Sequence, residues 1–224
     1  MSVTTLVFDA YGTLFDIAAP ARRAADGHPA LAAVWPKLAE DWRRKQLEYT
    51  WLRTITGAYA DFAQVTADAL DWAMQAHHLS DPALRRDLLA LYDELDAFPE
   101  VAETLHNLKS TGLHLAILSN GTPAMLASAQ AAAGLTGLID TTLSVDSVRT
   151  YKPHASVYAL VQAHTGARPQ NVLFVSSNGW DIAGAARFGF RTAWVNRANA
   201  PQDRLPQGPL HEIPDLTHLP RLIA

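Results

Sequence analysis

Leu6-Val7-Phe8-Asp9-Ala10-Tyr11-Gly12-Thr13 decides the fold. Three apolar residues run straight into an aspartate, with a glycine and a threonine close behind. This is how a buried strand emerges from a core into a tight loop. The same grammar recurs downstream. Residues 113–118 form an apolar run ending in Ser119-Asn120-Gly121-Thr122-Pro123, and residues 171–175 form another, closed by Ser176-Ser177-Asn178-Gly179-Trp180-Asp181. A weaker strand is expected near residues 138–143, ahead of Tyr151-Lys152-Pro153, and the last at 192–195. Helical patterns fill the gaps: 101–108, an Ala-rich stretch entered through the N-cap Thr122 with Pro123 just inside, and a segment through Tyr158 and Val161. Strands alternating with helices predict an α/β fold, a parallel sheet with helices on both faces.

Between the first two strands the character changes. From residue 17 to 97, strand-like runs vanish and apolar residues fall at helical spacing. Leu38, Trp42, Leu47 and Trp51 form one series, Phe62, Val65, Ala69 and Trp72 a second, and Asp81-Pro82 opens a third helix. The chain therefore reads as a core of residues 1–16 and 98–224 interrupted by a helical insert, 17–97. The Pro-, Gln- and Gly-rich stretch 199–214 reads as a surface loop, followed by a short closing helix within 216–223 that Pro220 limits.

Composition narrows the function. The chain has 224 residues, 49% apolar, with 18 Lys+Arg against 22 Asp+Glu and a net charge of −4. That length suits one large domain, or one domain carrying a smaller insertion, and the charge balance argues against a nucleic-acid binder or a disordered acidic tail. Cysteine is absent, which excludes disulfides, thiol nucleophiles and Cys-based metal sites. No apolar run is long enough to span a membrane, and the first five residues show no basic stretch before an apolar core. The expectation is a cytoplasmic protein without a signal peptide.

Ligands of an open parallel sheet sit beyond the carboxyl ends of its strands. Four polar clusters fall at such ends: Asp9 to Thr13, Ser119 to Thr122, Lys152, and Ser176 to Asp181. A single Asp after a strand is most often a turn former, but four ends offering carboxylates, a lysine and hydroxyls suggest one site. In this order, with the helical insert between the first two, they resemble the haloacid dehalogenase superfamily over essentially the whole chain. The resemblance implies a Rossmann-like core and makes the insert a cap domain.

Most of that superfamily transfers phosphoryl groups, and three departures set this chain apart. Its phosphatases carry an Asp two residues after the nucleophile to protonate an alkoxide; here that residue is Tyr11. A halide needs no such acid. Their Mg²⁺ also needs an Asp-x-x-x-Asp pair, which here reads Ser177-Asn178-Gly179-Trp180-Asp181, so one hard anionic ligand is missing. Finally, Trp42-Arg43-Arg44-Lys45-Gln46-Leu47-Glu48-Tyr49-Thr50-Trp51 resembles the L-2-haloacid dehalogenases, in which a cap Arg reaches over the substrate. Arg43 is the matching residue.

The resemblance then implies these roles. Asp9 attacks C2 of an L-2-haloalkanoate and forms an ester, with Lys152 offsetting the repulsion between two anions. That repulsion amounts to about 4 kcal/mol at 4 Å in a site of effective dielectric about 20. Ser119 and amides near Tyr11 hold the substrate carboxylate, while Arg43, Asn120 and Trp180 cradle the halide. Thr13, Ser176, Asn178 and Tyr158 orient Asp9 and Lys152, and Asp181 activates water. No metal or cofactor is implied, and the partners are the 2-haloacid and halide, without nucleic acid or membrane. A Mg²⁺-dependent phosphatase and a non-catalytic carboxylate binder are the alternatives.

Other residues have plainer readings. His77 and His78 face different sides of a helix without a ligand partner at four-residue spacing. His114 and His154 have no implied role. Trp35, Tyr49, Trp51 and Trp72 read as cap packing, Arg85-Arg86 as a solvated face, and Phe62 divides equally between pocket lining and burial. The assembly is open between a monomer and a homodimer.

Overall fold

The computed structural model describes residues 2–17, 25 and 29–223. Most of 18–28, the start of the expected insert, lies outside the described residues. Six parallel strands form one sheet in the order β3-β2-β1-β4-β5-β6: β1 Thr5–Phe8, β2 His114–Ser119, β3 Thr141–Ser144, β4 Val172–Ser176, β5 Arg191–Val195 and β6 His211–Ile213. Leu6, Val7 and Phe8 are wholly buried because β1 lies at the centre, pairing with β2 on one side and β4 on the other. The chain steps outward from β1 to β3, then returns across β1 and steps outward again through β4, β5 and β6. Right-handed crossovers place the helices of the two halves on opposite faces. The reversal leaves a crevice between the ends of β1 and β4, the switch point where such sheets bind ligands.

Two strand predictions need correction. The third strand starts at Thr141 because Leu138 and Ile139 belong to the preceding turn, where Gly137 takes φ 84° and Leu138 N–H donates to Leu135. A sixth strand, β6, lies inside the stretch read as a loop. It has only three residues, alternates around exposed Glu212 and sits between Pro209 and Pro214, so it offers no apolar run to read.

The insert is helical: α1 Pro29–Ala32, α2 Trp35–Thr56, α3 Phe62–Ala76 and α4 Pro82–Ala90, then a 3-10 turn at Leu91–Asp93. Asp61 caps α3 and Asp81 caps α4 by accepting from their first-turn amides, and Gly57 ends α2 in the left-handed region. The fully buried stripe of α2 is Leu38, Trp42, Gln46 and Thr50, so the second half of the apolar series is displaced by one residue. Arg85 is no freely solvated residue, because its guanidinium pairs with Asp71 of α3. The chain leaves and re-enters the sheet region side by side. Asp16 N–H donates to Asp96 and Phe98 N–H to Leu14, at 2.9 and 3.0 Å. After re-entry come α5 Val101–Ser110, α6 Pro123–Ala132, α7 Ala155–Thr165, α8 Gly179–Phe188 and α9 Pro220–Ile223. Thr122 caps α6 as expected, and no helix among the described residues is long and apolar enough to cross a membrane.

Candidate active site

Asp9 is the first residue after β1, fixed by its own N–H donating to Val175 of β4 at 2.9 Å. Its two carboxylate oxygens meet different surroundings. Oδ2 accepts from Asn178 Nδ2 at 2.9 Å, Thr13 Oγ1 at 3.1 Å and, more distantly, Ser176 Oγ at 3.4 Å. Oδ1 accepts from Lys152 Nζ at 3.0 Å and from no second donor among the described residues. One oxygen is thus crowded by donors, while the other keeps a lone pair open.

The loop geometry explains this convergence. Gly12, at φ 85°, turns the chain so that Thr13 comes back over Asp9, and a Cβ there would crowd Ser177 Oγ. Ser177 N–H donates to Thr13 Oγ1 at 2.8 Å, so the hydroxyl proton of Thr13 is free to point at the charged Asp9. Asn178 stands at the N-cap of α8 but leaves that helix uncapped by its side chain, spending its amide on Asp9 instead.

Lys152 Nζ also donates to Asp181 Oδ2 at 2.8 Å, so one ammonium bridges two carboxylates with no solvent access to speak of. Burial works against its charge, yet Asp181 and Asp9 hold its pKa above the usual lysine value. Asp181 is fully buried in the first turn of α8, with Tyr158 donating to its Oδ1 at 2.7 Å. Burial, reinforced by the charge of Asp9, pushes Asp181 up to about 6 against the pull of Lys152 and Tyr158. Tyr158 in turn is held protonated by burial and by the Asp181 charge. The close approach of its hydroxyl needs Gly184, where a Cβ would lie 2.5 Å from that oxygen.

Of the residues singled out in the sequence, Asp9, Thr13, Lys152, Tyr158, Ser176, Asn178 and Asp181 therefore form one hydrogen-bonded network. Asn120 joins it through Oδ1, which accepts from Lys152 N–H at 3.2 Å and so leaves Nδ2 as a donor. Ser119 is buried next to it and accepts from Gly121 N–H. Tyr11 and Phe62 stack with ring centroids 5.6 Å apart, so Phe62 is buried against the nucleophile loop. Gly121 admits the Tyr11 ring, since a Cβ would fall 2.7 Å from its hydroxyl. Trp180 meets the insert through Trp51, edge to face at 5.5 Å, so Trp51 is a contact between insert and sheet rather than packing internal to the insert. Arg43 is not hydrogen-bonded to the network. Its Nη1 donates to Gln46 Oε1 at 2.7 Å, and among the described residues it makes no ion pair.

Sequence reasoning missed Arg197. It follows β5, donates to the carbonyl of Thr13 at 3.1 Å, pairs with Glu100 at 2.6 Å and lies 3.9 Å over the Phe98 ring. It ties the nucleophile loop to the segment returning from the insert. No motif marks it, because its partners are a backbone carbonyl and residues a hundred positions away. Of the histidines, His77 pairs with Asp41, His114 contacts Thr141 and His154 caps α7.

A family model described as haloacid dehalogenase-like hydrolase matches residues 3–189. The chain belongs to the haloacid dehalogenase-like hydrolases. Among curated relatives, (S)-2-haloacid dehalogenase 4A of Burkholderia cepacia is 42% identical over 224 residues, covering 100% of this chain and 96% of its own. (S)-2-haloacid dehalogenase 1 of a Pseudomonas strain is 42% identical over 222 residues, covering 99% and 96%. Among solved structures, L-2-haloacid dehalogenase from Xanthobacter autotrophicus with chloropropionic acid covalently bound superposes with a TM-score of 0.90. That protein is 38% identical, and the match covers 99% of this chain and 98% of that one.

Proposed function

We propose that this chain is an (S)-2-haloacid dehalogenase, hydrolysing L-2-haloalkanoates to D-2-hydroxy acids and halide. The observation that carries the reading is Asp9, whose Oδ1 keeps an open lone pair beside the Lys152 ammonium that pairs with it at 3.0 Å. The covalently bound chloropropionic acid of the Xanthobacter enzyme supports a covalent route here too.

In the first step Asp9 Oδ1 attacks C2 from behind, the C2–halogen bond breaks, and the halide leaves with the bonding pair, inverting C2. Arg43, Asn120 Nδ2 and Trp180 face the departing halide, while Ser119 and amides beside Tyr11 hold the substrate carboxylate. In the second step water attacks the acyl carbon (Cγ) of the Asp9 ester, with Asp181 taking its proton. The tetrahedral intermediate then collapses, the Cγ–Oδ1 bond breaks, the departing alkoxide takes that proton from Asp181, and Asp9 releases its remaining proton to solvent. Charge develops on Oδ2, where Asn178, Thr13 and Ser176 already donate, so they act as a preformed oxyanion site. C2 is untouched, and the inverted centre survives into the product.

The donor set does not suit Mg²⁺. An ammonium already bridges Asp9 and Asp181, and Ser177 stands where phosphatase relatives carry a further carboxylate. Tyr11, buried against Phe62, offers no carboxylic acid for an alkoxide leaving group. We therefore read the reaction as metal-independent. Residues 17–97 serve as a cap over the core formed by 1–16 and 98–224. The chain, free of cysteine, works in the cytoplasm, and its assembly is a homodimer with exposed Leu52 and Ile55 of α2 as an apolar patch.

Halide release from each enantiomer of 2-chloropropionate, with chelator and no added metal, tests the reading. Only the L form is expected to react. The rate falls as pH drops through about 6, because Asp181 then gains a proton and ceases to be a base. Phosphate release from a phosphomonoester on adding Mg²⁺, with no halide from either enantiomer, would contradict it.

A further inference from the structure

Gln46 is the only amide side chain in the buried stripe of α2, and it is completely enclosed. Its surroundings fix which way it points. Thr66 Oγ1 donates its single proton to the carbonyl of Phe62 at 2.6 Å, one turn back along α3. That hydroxyl can then only accept from Gln46, which it does from Nε2 at 2.7 Å. The second Nε2 proton reaches Tyr92 Oη at 3.3 Å. Both donors being used on this side, Oε1 must face the other way, where it accepts from Arg43 Nη1 at 2.7 Å. A flipped amide would set N–H against the guanidinium and break the bond from Thr66 to Phe62. Tyr92 completes the wall, packing on Tyr11 at 6.0 Å and on Trp42 at 5.1 Å, and feeling the charge of Arg43.

We propose that Gln46 is a positioning residue which, oriented by Thr66, aims the Arg43 guanidinium at the departing halide without neutralising it. The inference deepens the reading above and rests on it. A carboxylate at this position would hold Arg43 equally well but quench its charge. The neutral amide spends one N–H of Arg43 and leaves the guanidinium its full charge and its remaining donors.

The test is the rate ratio between bromo- and chloropropionate (L enantiomers) in Gln46→Leu, Gln46→Glu, Thr66→Val, Thr66→Ser and Arg43→Lys. Chloride is the poorer leaving group and depends more on stabilisation as it departs. Gln46→Leu and Gln46→Glu are expected to lower kcat for the chloro substrate by about tenfold, a usual cost for losing a charge-assisted hydrogen bond. The bromo substrate should suffer less, so the ratio rises. Thr66→Val shifts it the same way with Gln46 in place, and Thr66→Ser returns it towards the parent. A ratio unmoved in folded Gln46 and Thr66 variants, but raised in Arg43→Lys, overturns the positioning role alone. A ratio unmoved in Arg43→Lys overturns the halide role of Arg43 itself.

Discussion

Asp9→Asn abolishes turnover, with a loss of about 10⁴-fold or more, the scale seen when a nucleophile is removed from a covalent mechanism. An amide nitrogen has no lone pair to give C2, and an amide oxygen is a far weaker nucleophile than a carboxylate. The fold should survive. The asparagine oxygen can still accept from Asn178 and Thr13, and Lys152 keeps its 2.8 Å partner Asp181. Removing one anion also leaves Lys152 and Asp181 as a balanced pair. Halide release measured alongside circular dichroism separates the two effects. Full activity in a folded variant would refute the assignment of Asp9.

Lys152→Met is expected to cost both activity and stability. The lysine is the cation hydrogen-bonded to two buried carboxylates, and breaking a buried pair from one side costs about 3–5 kcal/mol. Urea unfolding at neutral pH reads that loss directly. Without the ammonium, Asp181, already raised by burial, loses the charge that pulls its pKa down, so its folded-state value rises further above the unfolded one. The deficit is therefore present above the folded pKa of Asp181 and shrinks as pH falls through it, because protonation removes its unpaired charge. Methionine fills the stem of lysine, so packing loss is small. A variant as stable as the parent at pH 8, or one that loses equally at pH 5 and 8, contradicts the role given to Lys152.

The sheet was legible because its strands are short apolar runs ending in polar residues, and each of Asp9, Ser119-Asn120 and Ser176 sits at such an end. Register could not be read, yet register brings the loops of β1 and β4 together and lets Thr13 meet Ser177. β6 escaped because three residues beside prolines carry no periodicity. In α2 the apolar residues Leu47 and Trp51 drew attention one position away from the buried Gln46 and Thr50, because periodicity counts apolar side chains and a satisfied buried amide is invisible to it. Gly121 and Gly184 gain meaning only once the rings of Tyr11 and Tyr158 are placed beside them. Arg197 is harder still, since a bond to a backbone carbonyl leaves no trace in residue type.

On this mechanism the hydroxyl oxygen of the product comes from Asp9, and water attacks only the acyl carbon. A single turnover of L-2-chloropropionate in ¹⁸O-labelled water, with enzyme in excess, tests this most directly. Unlabelled 2-hydroxypropionate of D configuration is expected, with one ¹⁸O in the peptide that carries Asp9. Label in the hydroxyl of the product, with Asp9 unlabelled, would mean that water attacks C2 itself and that no ester forms.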